Sequence, residues 1–473
     1  VNGEPPVAQL EAHLFKQHRF VFDDADSDEG GLGGVNWHGA GRSQGVTGEL
    51  TQSGRRWAWL CCMALCWWVW ALAPACAKNA AAPDAAGGAG HPSLAGRVWA
   101  APPGAALPDA AAALALHRRG GFQSLQGNLA RGYTPDVIWL AAELPADASQ
   151  PRDMVLEVGP AYLDRVTAYQ VQADGALRLL GVSGDQVPRA ARALLSLVPA
   201  FAVQLPAGQD TTVLLRIDTV STKSAMLALY STRSYAAAQL VNGLLLGGIF
   251  AVSLSMLFLA VGVWLLYRQR SFLLWAAYMT ATACLWFMLD GLASVLLPDD
   301  KLHWVNIATS VLNLLSLVLG TLFMRSIFEV RKLSRPLHSA LGGAALALPA
   351  LFVASTLAGA KTPAQLLLVA SLPLFALVGA AIVWQMLRRE RVGLVYGPAF
   401  LLFLTASLHN ILATLGWWPL DRLSYYGWQV AGFLNLLSLQ VAVLAKARQA
   451  RRQLDQERAR LAHELTQRNA ELE

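Results

Sequence analysis

The stretch YYGWQVAGFLNLLSLQVAVLA, Tyr425–Ala445, runs without a Gly or Pro break into Lys446–Glu473, which is rich in Arg, Glu, Gln and Ala. An apolar run of about 20 residues is what a helix needs to cross a bilayer core of about 30 Å. Inside lipid the backbone must bond to itself, so such a run is a helix. Six further runs precede it: Leu240–Tyr267, Phe272–Asp290, Val305–Met324, Ser339–Leu357, Ala364–Leu387 and Leu394–Trp417. The pattern predicts a seven-helix transmembrane bundle over residues 240–445, with a charged helix leaving its last member.

The loops give the orientation. Arg268, Arg270, Arg325, Arg331, Lys332, Arg335, Arg388, Arg389, Arg391, Lys446, Arg448, Arg451 and Arg452 follow the odd-numbered runs. The other side carries only Lys301, Lys361 and Arg422. Basic residues mark the cytoplasmic side, which predicts that residues before Leu240 lie outside and the charged helix inside. Trp304, Trp417, Trp418 and Trp428 sit at run ends, as interfacial anchors do.

The chain of 473 residues is 55% hydrophobic and only 14% charged, too apolar for one soluble globule. Its net charge of +6 is mostly the basic loops, so no nucleic-acid partner is expected. Cys61, Cys62, Cys66 and Cys76 fall in one early apolar stretch and Cys284 in the second run, which gives no disulfide framework or zinc spacing. Residues 55–77 read as a secretory signal peptide: Arg55 and Arg56, then Trp57–Leu72, then Ala75-Cys76-Ala77. An eighth membrane helix is the competing reading. Residues 1–54, with acidic Asp23, Asp24, Asp26, Asp28 and Glu29, read as a disordered or spurious extension, and a start near Val46 would leave a conventional signal peptide.

Residues 78–106 are rich in Ala, Gly and Pro and read as a linker. Residues 107–236 carry short strand-like runs at Val137–Leu144, Met154–Val158, Asp164–Val171, Leu195–Leu205, Thr211–Asp218 and Ala225–Ser231. Turn signals such as Ala173-Asp174-Gly175 and Gly184-Asp185 separate them. Such spacing predicts an all-β sandwich in the periplasm. Beyond Ala445, over residues 446–473, Leu454, Leu461, Leu465 and Leu472 form a partial coiled-coil seam, interrupted by Arg458 and Arg468. The fold class is therefore α+β: a β-sandwich, seven membrane helices and a cytoplasmic coiled-coil helix, dimeric through that helix. A solvated single helix is the alternative.

The order of these parts resembles the bacterial seven-transmembrane receptors with diverse intracellular signalling modules. Val137-Ile138-Trp139-Leu140 looks like the family's tryptophan-bearing first strand, and Leu156–Asp164 like its strand and turn. Gly184-Asp185-Gln186-Val187-Pro188 with Arg192, and Val213–Ile217 with Arg216, resemble two further segments. In the membrane part, Tyr267–Leu274, Phe323-Met324-Arg325 with Phe328 and Pro336, and Ser438–Ala445 resemble the family's helix exits. The resemblance implies a jelly-roll-like sensor domain similar to carbohydrate-binding modules, and an output module such as a histidine kinase or diguanylate cyclase. Residues 446–473 hold no such module, so the output enzyme is expected to follow or to be a separate partner.

Candidate site residues fall into two groups. Trp139, Arg192 and Arg216 suit a sugar or acidic ligand if they share an open face; a core tryptophan and loop-bonded arginines are the plainer reading. Within the membrane, Asp290, Asn313, His409, Asn410 and Asn435 are functional candidates, although interhelical hydrogen bonds explain Asn well. No catalytic constellation, cofactor site or metal site is expected. His463-Glu464-Leu465 resembles the phosphoacceptor of histidine kinases, but Thr466 and Gln467 follow where that family has Arg and Thr-Pro, and a solvated coil position is the plainer reading. The seventh run has no buried lysine, which argues against a retinal Schiff base. The expectation is a non-enzymatic receptor of the bacterial inner membrane, contacting membrane lipid and sensing a periplasmic small molecule or carbohydrate. The alternative is a small-molecule transporter or membrane-assembly partner.

Overall fold

The structure, a computed structural model, describes residues 94, 96–145, 150–358 and 363–472. The expected extension 1–54, the signal segment 55–77 and most of the expected linker lie outside the described residues, as does Lys361.

The strands are β1 (Val98–Ala100), β2 (Gln123–Ser124), β3 (Leu129–Ala130), β4 (Ile138–Leu144), β5 (Arg152–Gly159), β6 (Arg165–Val171), β7 (Leu177–Ser183), β8 (Ala200–Leu205), β9 (Thr211–Asp218) and β10 (Ser224–Ser231). They form two antiparallel sheets, ordered β2-β1-β4-β9-β6-β7 and β3-β10-β5-β8. Strand alternation sets the core. Ile138, Leu140, Ala142 and Leu144 of β4 pack inward with Leu156, Val158, Phe201, Val203, Leu215 and Leu229. Each fully buried aliphatic side chain of this kind is worth about 1.5–3 kcal/mol.

The opposite face of β4 is covered too. Helix α1 (Ala110–Arg118) lays Ala110, Ala113 and Leu114 over Trp139, Ala141 and Leu214. Asp109 caps α1 by accepting from Ala112 N at 2.8 Å, and His117 and Arg118 complement its negative end. The strand reading of residues 107–236 had no helix here. An N-cap Asp before an Ala/Leu run was the available signal. Likewise β1 lies inside the stretch read as linker. Three residues carry little propensity of their own, and pairing with β4 decides their state. Strand β7 escaped because it is a half-exposed edge strand broken by Gly181, though its hairpin turn at Asp174-Gly175 was legible.

The helical part comprises α2 (Thr232–Tyr267), α3 (Arg270–Leu289), α4 (Leu292–Leu296), a 3-10 turn at Asp299–Trp304, α5 (Val305–Ile327), α6 (Val330–Leu333), α7 (Arg335–Leu357), α8 (Pro363–Leu387), α9 (Arg391–Thr414) and α10 (Arg422–Leu472). Seven of these are long and apolar enough to cross a membrane. Their outward faces expose Leu244, Phe258, Leu266 and Leu346, a surface that suits lipid rather than water. Pro349, Pro373 and Pro398 lie within α7, α8 and α9, as packed membrane helices tolerate. Strand β10 passes directly into α2, with Ser231 ending the strand and capping the helix. Helix α10 is continuous over 51 residues, about 75 Å at about 1.5 Å per residue.

Candidate functional site

The sandwich rests on the bundle end formed by the C-termini of α3 and α9 and the N-termini of α5 and α10. Thr222 Oγ1, in the β9–β10 loop, donates to Thr414 O at 2.7 Å, and Asn128 Nδ2 donates to Leu420 O at 3.0 Å. Gly132 and Gly416, with φ of 64° and 79°, meet backbone to backbone. A Cβ on Gly132 would strike Leu415 O, and one on Gly416 would lie 2.7 Å from Gly132 N. These glycines serve both a positive φ and a close approach. The rings of Tyr162 and Tyr425 lie 6.2 Å apart, tilted at 41°, across the same junction.

A polar group flanks these contacts. Asp164 accepts from Asn306 Nδ2 of α5 at 2.7 Å and from Val220 N of the β9–β10 loop at 2.5 Å, so one carboxylate fixes sandwich, loop and bundle together. Arg192 donates from Nη2 to Ser294 O at 2.9 Å, from Nη1 to Ser294 Oγ at 3.3 Å and from Nε to Val187 O at 2.9 Å. Arg189 bonds Asp299 at 3.2 Å. Gly184 (φ 146°) permits the fold here, since a Cβ would strike Asp164 O, while Asp185 N donates to Leu163 O at 2.9 Å. Asp185 is 2% exposed. Burial, then the neighbouring Asp164 charge, push its carboxyl up to about 8, so it is protonated at neutral pH. Burial also lowers the Arg192 guanidinium and the Lys223 ammonium, whose Nζ donates to Thr219 O. It pushes the Tyr162 phenol up to about 12, so that group stays neutral.

Beneath this junction lies a cavity of about 530 Å³. Tyr133, Tyr162 and Val220–Thr222 of the sandwich roof it, and α3, α5, α7, α8, α9 and α10 form its walls. Helix α10 contributes Tyr425, Trp428, Gln429, Gly432 and Leu436. Their spacing of 3, 1, 3 and 4 residues is one face of a helix.

The structure distributes the expected site residues unevenly. Trp139 is 1% exposed beneath α1, its ring 6.2 Å from Tyr169, so it offers no open aromatic face. Arg216 pairs opposite Trp139 in the sheet but bonds Asp218 at 3.3 Å. Arg192 serves the junction instead. Asn313 and Asn410 line the cavity, and Asn410 Nδ2 donates to Ser424 O at 2.8 Å. Asp290 accepts from the cavity residue Gln429 at 2.8 Å. His409 is not among the lining residues; its ring lies 6.0 Å from Trp418 and its Nε2 4.0 Å from Asp421, beyond hydrogen-bond range. Asn435 is buried, and neither amide atom finds a partner among the described residues. The roof loop Val220–Thr222 and the cavity serines gave no sequence signal, because isolated hydroxyls in apolar runs usually bond their own helix. Among the described residues no His, Cys, Asp or Glu cluster could hold a metal ion.

The family of 7TM diverse intracellular signalling domains matches residues 238–446, and the 7TMR-DISM extracellular 2 domain matches residues 102–231. The chain belongs to the 7TMR-DISM receptor family. Its extracellular domain is the β-sandwich, and the matched boundary falls where β10 becomes α2. The 7TMR-DISM match covers receptor and sensor domains and describes a multi-pass membrane protein of transmembrane signalling. No curated protein matches the chain.

Proposed function

We propose that this 7TMR-DISM protein is a ligand-sensing receptor of the bacterial inner membrane. Its sandwich lies in the periplasm, and the leucine-bearing end of α10 pairs with a second copy in the cytoplasm. The basic residues support this orientation, since Arg268, Arg325, Arg331, Lys332, Arg388 and Arg389 sit at helix ends away from the sandwich. The observation that carries the reading is α10 itself. One unbroken helix lines the cavity from Tyr425 to Leu436 and continues to Leu472. A change at the cavity therefore reaches the far side without an intervening hinge. In the single chain Leu461 and Leu465 are 46% and 45% exposed, as seam residues awaiting a partner helix would be. The output is a histidine kinase or diguanylate cyclase coupled through that coiled coil.

A transporter would need a path to the opposite end of the bundle. There Trp275 Nε1 donates to Gln440 Oε1 at 2.8 Å and Gln385 Nε2 to Phe328 O at 2.6 Å, both buried. These bonds favour a closed, signal-relaying core. Oxidative crosslinking of Leu454→Cys and Leu461→Cys in native membranes tests the reading. The expected result is a crosslinked dimer at both positions, with a fraction at position 461 that changes several-fold when Arg192→Ala loosens the junction. No crosslink, or a yield indifferent to Arg192→Ala, would contradict it.

A further inference from the structure

We infer that the roofed cavity is a binding site for an uncharged, amphipathic small molecule, and that this molecule is the signal. The assignment deepens the receptor reading by naming where the ligand sits and its class. Three observations carry it.

The first is size. About 530 Å³ lies inside the range of about 300–1,000 Å³ typical of small-molecule sites. The second is charge. Among the described residues lining the cavity there is no Asp, Glu, Lys, Arg or His. Among the described lining residues a charged ligand would find no counterion, which disfavours it where the wall is apolar. Neutral aromatic and aliphatic groups such as Trp286, Phe352, Phe400 and Leu404 make up most of the wall.

The third is unspent hydrogen-bonding capacity. Several lining hydroxyls satisfy themselves on their own helix: Thr309 bonds Val305 O, Thr321 bonds Leu317 O and Ser371 bonds Leu368 O. Ser316 Oγ of α5, Ser407 Oγ of α9 and Trp286 Nε1 of α3 do not. All three residues line the cavity, and these atoms are buried without a partner among the described residues. Buried polar groups are nearly always paired, so a small turn of these side chains toward an occupant's acceptor would satisfy them. The ligand is thus mostly apolar, with one or two carbonyl, hydroxyl or ether oxygens. The interior of a membrane lipid shares this chemistry, so the occupant is either a free small molecule or such a lipid segment.

The test uses the full chain in lipid nanodiscs with N-phenyl-1-naphthylamine as a neutral probe. Its sulfonated counterpart, 8-anilino-1-naphthalenesulfonate, serves as the charged control. The part of the tryptophan energy transfer that is lost in Trp428→Phe reports probe in the cavity. The expected result is a saturable signal for the neutral probe, weakened at least tenfold in Ser407→Phe, which puts a bulky ring into the wall of the cavity. It should weaken a few-fold in Ser407→Ala, which keeps the shape but removes the donor. Leu254→Phe, on the outer face of α2, should leave it unchanged. Equal, non-saturable signals in wild type and Ser407→Phe, or equal saturable binding of the sulfonate, would overturn the assignment. Should Ser407→Phe fail to fold, Ser407→Ala and the sulfonate still decide. Native mass spectrometry separates the sources. A lipid retained by wild type and displaced by the probe identifies a lipid segment; no retained lipid identifies a free molecule. Saturable binding without any change in crosslinking at Leu461→Cys would leave the site standing and remove the receptor reading. The converse result would remove the site alone.

Discussion

Asp185 and Arg192 set the chemistry of the junction at the scale of single side chains. The Asp185 carboxyl titrates near 8 in the folded protein against an ordinary value of 3.8. Because its folded value is raised, its contribution to stability is complete below about 4 and is lost as pH rises toward about 8, where the buried group must ionise beside Asp164. Thermal unfolding across that window should show stability falling with pH, and Asp185→Asn should flatten the slope. An unchanged slope would place the titration elsewhere. Arg192→Ala removes donors to Ser294 and Val187, each charge-assisted bond being worth about 1.5–3 kcal/mol. Faster hydrogen exchange over residues 187–192 and 291–297 is the expected result. The Gly-Asp and Arg residues of this cluster were visible in the sequence as a family-like segment. Their bundle partners, Ser294 and Asn306, were not, because no local pattern reveals which loop a helix end will meet.

Among the elements, the loop pair carrying Gly132 and Gly416 holds the sandwich against the end of α9. Gly416→Val adds a branched side chain at φ 79° and within 2.7 Å of Gly132 N. Such backbone strain costs about 1–3 kcal/mol. A drop in melting temperature, with the roof loop Val220–Thr222 more open to exchange, is expected. The seven helices were legible because apolar length alone dictates them. The sandwich was legible in outline, since β4, β6 and β9 alternate or run apolar between clear turns. Helix α1 was hidden within a stretch read for strands, and its presence changes the meaning of Trp139. An aromatic residue that would suit a sugar on an open sheet becomes core when a helix covers it.

For the whole molecule we propose a two-state balance in which cavity, roof and α10 move together. A ligand shifts that balance only by its differential affinity for the two arrangements, and a swing from 1:99 to 99:1 requires about 5.5 kcal/mol. The cavity touches α10 at five positions on one face, which gives a ligand direct purchase on the helix that leaves the membrane. A bulky ring fixed in the cavity wall should block the bound state, so Ser407→Phe is expected to hold α10 in one arrangement whatever is added. The most direct measurement is the distance distribution between spin labels on Leu461→Cys in the reconstituted dimer, titrated with N-phenyl-1-naphthylamine. Two populations are expected, whose ratio shifts with probe in wild type and stays fixed in Ser407→Phe. A single distribution, unmoved by saturating probe in wild type, would contradict the two-state balance.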